Sequence, residues 1–132
     1  MRSRVYVDAK IVGRHELGLP KKTYVGYVVE NNDDLQGVTV VKADETDDAE
    51  LHAIAFAIRQ LKDRLDEFTV VCDHESVVSV IKRKDMSAGR KRPILVEVLR
   101  QMESNPSVEV ELLANNPAHR LLNKHIAALL SS

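Results

Sequence analysis

Near residue 44 the hydrophobic pattern changes its period, and that single switch limits the folds open to the chain. Before it, short β-branched runs alternate with polar residues. Residues 4–8 (Arg-Val-Tyr-Val-Asp), 23–30 (Thr-Tyr-Val-Gly-Tyr-Val-Val-Glu) and 37–42 (Gly-Val-Thr-Val-Val-Lys) read as strands. Residues 9–22 hold Gly13, Gly18 and Pro20 and read as a loop, and Asn31 to Asp34 as a turn. Such short connections imply an antiparallel meander. After the switch, Leu51, Ile54, Ala55, Ile58 and Leu61 recur at helical spacing. A helix is expected over 48–64, with Asp47 as N-cap and Glu50 completing a capping box. Residues 68–72 form a continuous apolar run, as in a strand buried on both faces. Ser76 to Lys82 reads as a short helix, and Pro93 opens another through Gln101 or beyond. Residues 108–113 alternate as a fifth strand. Pro117 opens a last helix with Leu121, Leu122, Ile126, Leu129 and Leu130 on its apolar side. The order β-β-β-α-β-α-α-β-α demands helical crossovers, hence a partly parallel sheet in a mixed α/β fold.

At 132 residues, 44% hydrophobic and 30% charged, residues 1–132 suit one globular domain without a metal or disulfide scaffold. No apolar run approaches the roughly 20 residues of a membrane span, and the first residues carry no signal-peptide stretch. A lone Cys72 excludes an internal disulfide and a multi-cysteine zinc site, so a reducing cytoplasm is expected. The net charge of −1 hides two clusters. Residues 44–50 hold five acids, and residues 82–92 hold six bases against one acid. The basic run, Lys82, Arg83, Lys84, Arg90, Lys91 and Arg92, reads either as a phosphate-contacting patch or as a solvated loop.

Two strands end alike. One reads Val5-Tyr6-Val7-Asp8, the other Val70-Val71-Cys72-Asp73. Ligands sit beyond the carboxyl ends of parallel strands, and parallel neighbours lie about 4.8 Å apart. If these two strands are neighbours, Asp8 and Asp73 converge. The competing reading of either aspartate is a cap on the next loop or helix; the matched placement favours a shared site. Glu50 sits at the edge of the first helix's buried face, close to the sheet, and its competing reading is a first-turn acid favoured by the helix dipole. Asp44, Glu45 and Asp48 read as a solvated face. Converging carboxylates repel unless cations neutralise them, and an oxygen ligand set suits Mg²⁺ or Mn²⁺. Two such ions about 3.5–4 Å apart support phosphodiester hydrolysis.

These residues resemble the type 1 ribonuclease H family. Val5-Tyr6-Val7-Asp8 is similar to the family's first strand, Tyr24 to Val29 to its second, and Asp48 to Ile54 to the helix bearing its catalytic glutamate. Val71 to Val78 is similar to its fourth strand and following helix, and Asn123 to Leu129 to its last helix. The resemblance implies a five-stranded mixed sheet in order 3-2-1-4-5, the first three strands antiparallel, with helices on both faces. It implies a metal-dependent endonuclease that cuts the RNA strand of RNA–DNA hybrids, with Asp8, Glu50 and Asp73 as catalytic ligands of Mg²⁺ or Mn²⁺. The partner would be a hybrid or a structured RNA, bound through the basic run.

Departures from the family pattern are specific. Its fourth acid falls on Ala127, which cannot bind a metal. Ala9 to Gly13 lacks the family's glycine-rich stretch, and Ala114 to Pro117 lacks its histidine motif. His119, Asn123 and Ala127 share one helical stripe, so His119 and Asn123 are auxiliary candidates; the competing reading of His119 is a surface histidine. His15, His52, His74 and His125 gain no role by position, although His74 adjoins Asp73 and so bears on metal affinity. Loss of the fourth acid leaves two alternatives to a weakened nuclease: a catalytically silent nucleic-acid-binding module, or a scaffold without nucleic-acid affinity.

Overall fold

A computed structural model describes residues 2–14, 19–84, 92–114 and 116–131. The β-branched runs build three antiparallel strands, β1 (Ser3–Arg14), β2 (Leu19–Val29) and β3 (Asn32–Val41). Helix α1 (Thr46–Leu61) crosses to β4 (Phe68–Cys72), which pairs parallel to β1. Helices α2 (Glu75–Arg83) and α3 (Pro93–Ser104) lead to β5 (Val108–Leu112), parallel to β4, and α4 (Ala118–Ser131) comes last. The sheet order is β3-β2-β1-β4-β5, as the resemblance implied.

The pleat divides the core into two layers. On one face Val5, Val7, Val25 and Val70 pack against Leu51, Ile54, Ile58 and Leu95. Leu51, Ile54, Ile58 and Leu61 of α1 are completely buried, each worth about 1.5–3 kcal/mol over exposure. On the opposite face α4 covers Tyr6 and Val71 with Ala118, and Tyr24 with Leu122 and Ile126. Every residue of β4 is buried, in keeping with its unbroken apolar run. Among the described residues, no helix is long and apolar enough to cross a membrane.

The main differences from the sequence expectations lie in three places, beside small shifts such as α1 ending at Leu61 rather than 64. The loop expected over 9–22 is largely a hairpin arm: pairing of β1 with β2 continues through Ala9↔Val25 to Val12↔Lys22, then shifts register before Arg14↔Leu19. Beyond Lys10 this arm is half-exposed, so no apolar alternation marks it. Pro20 is tolerated because the pairing of β2 with β3 begins only at Thr23. The turn expected over Asn31 to Asp34 closes in two residues, Glu30 and Asn31. Asn31 adopts the left-handed conformation (φ 62°) that asparagine tolerates. Helix α1 begins two residues early, with Glu45 rather than Asp47 at its N-cap. Asp47 is committed elsewhere: it accepts from Ser76 Oγ at 3.2 Å and from Arg92 Nη1 at 3.2 Å.

Candidate active site

The register of two parallel strands positions the first pair of acids. The last partners of β1 and β4 are Tyr6 and Val71. Asp8 and Asp73 each lie two residues further on, so they stand side by side with the same pleat parity just past the β1–β4 pairing, although β1, expected to end at Asp8, runs on with β2 to Arg14. Helix α1 packs across β1, β2 and β4 and brings Glu50 to this place from its second turn. Asp8 is 5% and Glu50 1% exposed, whereas Asp73 reaches solvent. A capping box would have left Glu50 at the surface; its burial removes that reading.

Burying a carboxyl beside two others has a chemical consequence. Desolvation first, then the charges of Asp8 and Asp73, pushes the Glu50 carboxyl from 4.5 up to about 9. The proton held there is shared in a hydrogen bond with Asp8, while the Ala9 backbone amide pulls the other way. Glu50 Oε2 accepts a long contact from Cys72 Sγ at 3.9 Å. Burial pushes the Cys72 thiol up to about 12, so this sulfur is an inert neighbour.

Two imidazoles flank the acids. His119 of α4 places Nδ1 3.0 Å from Asp8 Oδ2, with most of its ring exposed. Its height on the sheet is set by Asn116, whose Nδ2 donates to the Val7 carbonyl and whose Oδ1 accepts from the Ala118 amide at 3.0 Å. On the other side His74 Nε2 lies 3.1 Å from Glu50 Oε1 and 3.6 Å from Asp73 Oδ1. The closer contact lacks hydrogen-bond alignment, which leaves the buried Oε1 without a hydrogen-bond partner.

This donor set fits a divalent cation. Glu50, Asp73 and His74 each offer one ligand atom, and the three atoms lie within 4.8 Å of one another. At bond lengths of about 2.1 Å, two ligands at right angles stand about 3.0 Å apart, close to the spacings His74 Nε2 makes here. A buried oxygen with no partner supplies the unfilled coordination.

Asp8, Glu50 and Asp73, singled out in the sequence, thus come together. His119, although mostly exposed, joins them through its contact with Asp8. Asn123 is turned to β1, where its Oδ1 accepts from Lys10 Nζ at 2.6 Å. Ala127 does not occupy the α4 position facing the acids; His119 does, and Ala127 lies about 12 Å further along the helix axis. Lys82, Arg83 and Lys84 are exposed at the end of α2. Arg90 and Lys91 lie outside the described residues. Arg92 is engaged by Asp47 (3.2 Å) and Asp48 (3.8 Å), which ties the end of the basic run to the start of α1. Asp48 is therefore not simply a solvated face. His74 is the contributor that sequence reasoning underrated; its adjacency to Asp73 was the available signal.

No family model matches the chain, and no curated protein sequence matches it. Solved structures do. Ribonuclease H1 from the halophilic archaeon Halobacterium salinarum superposes with a TM-score of 0.69 at 17% identity, over 86% of each chain. The native protease–reverse transcriptase of prototype foamy virus gives 0.69 at 11% identity, covering 86% of this chain and 17% of that one. A foamy viral protease–reverse transcriptase in complex with double-stranded DNA gives 0.66 at 11% identity, covering 84% and 80%. The chain has the ribonuclease H fold.

Proposed function

We propose that this chain is a divalent-metal-dependent nuclease that hydrolyses the RNA strand of RNA–DNA hybrids, leaving a 3′-hydroxyl and a 5′-phosphate. The observation that carries the reading is the convergence of Asp8, Glu50 and Asp73, from three separate elements, where β4 ends beside β1, with Glu50 buried and its Oε1 unpartnered. A protein gains nothing in stability from such a cluster, since each acid raises the cost of the others. Its retention on a ribonuclease H fold favours function.

When bound, Mg²⁺ or Mn²⁺ supplies Lewis acidity toward water and neutralises phosphate charge. The chain's own residues do the rest. Glu50, Asp73 and His74, whose donor atoms lie within 4.8 Å of one another, would hold the cation, with Asp8 as the third carboxylate beside them. A dication held there would take over from the Glu50 proton the task of offsetting three carboxylates. His119 holds Asp8 Oδ2 and orients that carboxylate. Lys82, Arg83 and Lys84 place the phosphate backbone of the duplex without reading sequence.

The catalytically silent binding module is the second reading, favoured by one feature. The α4 side chain facing the acids is an imidazole, and it already occupies Asp8 Oδ2. Cleavage of an end-labelled hybrid in Mg²⁺, Mn²⁺ and EDTA, with Asp73→Asn as control, decides between them. Metal-dependent cutting lost in the variant is the expected result. Hybrid binding without cutting in either metal would refute the nuclease and leave the module.

A further inference from the structure

We infer that His74 is an imidazole ligand of the acid cluster, making it a mixed nitrogen–oxygen centre that takes a first-row transition dication, Mn²⁺ in preference to Mg²⁺. The inference rests on the metal-dependent reading of this cluster and deepens it by naming a ligand and a metal class.

His74 stands at the N-cap of α2, a position that favours Ser, Thr, Asp or Asn because their side chains accept from the first free amides. Its ring performs no such capping. The backbone at His74 is held by the helix it opens. Its carbonyl accepts from the Val78 amide at 3.1 Å. The ring is turned onto the acids instead, with Nε2 between Glu50 Oε1 and Asp73 Oδ1.

The contact with Glu50 has the distance of an ion pair without the alignment of a hydrogen bond. An imidazolium serving only as a counter-charge would aim its N–H at Oε1. A ligand imidazole need only bring Nε2 within ligand spacing of Oε1, so that one cation satisfies both atoms. His119 is not equivalent, because its Nδ1 is spent on Asp8 Oδ2. Donor chemistry then selects the ion. Mg²⁺ prefers oxygen and sheds water reluctantly, whereas first-row transition dications take imidazole nitrogen more readily; Mn²⁺, the weakest binder of that series, still accepts both carboxylate oxygen and imidazole.

The test is titration of the full chain with Mn²⁺ alone and Mg²⁺ alone by calorimetry, for wild type, His74→Asn and His119→Asn. Wild type is expected to bind Mn²⁺ more tightly than Mg²⁺. His74→Asn is expected to weaken Mn²⁺ by about 10–100-fold, the range that loss of an outer partner already costs, and Mg²⁺ by no more than about twofold. Pulsed electron paramagnetic resonance of bound Mn²⁺ should show nitrogen modulation in wild type and His119→Asn but not in His74→Asn. The wild-type signal requires no variant to fold. Equal weakening of both ions by His74→Asn, nitrogen modulation that survives it, or a wild type that binds neither ion would overturn the inference. Hybrid cleavage by the same samples separates the two readings. Nitrogen modulation without cleavage refutes the nuclease and supports the ligand; cleavage without nitrogen modulation refutes the ligand alone.

Discussion

Replacing Glu50 by glutamine should make the metal-free protein more stable, and increasingly so as pH rises. Glutamine keeps the shape and can still donate to Asp8, but it carries no charge to bury. In wild type the Glu50 carboxyl binds its proton up to about pH 9 when folded, against an ordinary value of 4.5. Between those limits the folded chain holds a proton that the unfolded chain releases, so rising pH favours unfolding. The stability tied to this proton is complete below 4.5 and lost on the way to 9. At about 1.36 kcal/mol per pH unit, the loss between pH 5 and 8 is on the order of 4 kcal/mol. That is a large share of the roughly 5–15 kcal/mol that holds a typical domain together. Urea unfolding in EDTA at pH 5, 6, 7 and 8 measures it. Wild type should fall relative to Glu50→Gln across the series, and Mn²⁺ should flatten or reverse the trend by taking the ionised carboxylate. Parallel wild-type and variant curves in EDTA would refute the account of a buried, proton-sharing acid.

Packing and surface chemistry set three further outcomes. Gly26→Val should destabilise by about 1–3 kcal/mol through overpacking, because a Cβ there meets Leu122 Cδ2 at 3.0 Å and the Gly37 carbonyl at 3.1 Å. An unchanged thermal midpoint would remove Gly26 from the seating of α4. Replacing Lys82, Arg83 and Lys84 together by alanine should weaken hybrid binding and reduce the salt slope of log K by about 2–3; an unaltered slope would place these residues off the interface. Cys72 should resist alkylation in the native protein and react only on unfolding, since it is buried with its thiol pushed up to about 12. Rapid native labelling would contradict that burial.

Much of the site was legible because buried apolar runs announce where they stop. An alternating apolar run that stops at an acid occurs twice, and Asp8 and Asp73 emerge directly from it. Glu50 was legible from helical phase alone, which places it at the edge of the buried stripe. The hairpin arm around Ile11 and Lys22 was not, because a half-exposed pair of strands has no buried face to impose alternation. Arg92 read as one more base in a charged run, since pairing with Asp47 across 45 residues leaves no local trace. Helical phase also put His119, Asn123 and Ala127 on one stripe, but phase says nothing of how far a helix slides along the sheet it covers.

The order and type of the elements, and the acids that close their apolar runs, were therefore determined by the sequence alone, because hydrophobic period and turn chemistry act over a few residues; that β1 runs on past Asp8 was not. Which side chains face those acids was decided by tertiary packing. Asn116 tied to Val7 and Leu122 seated over Gly26 set the height of α4, so that His119 rather than Ala127 meets Asp8. The pinned backbone at the start of α2 turns His74 onto Glu50. Both outcomes depend on contacts between residues far apart in the chain, whose combined geometry no local pattern encodes.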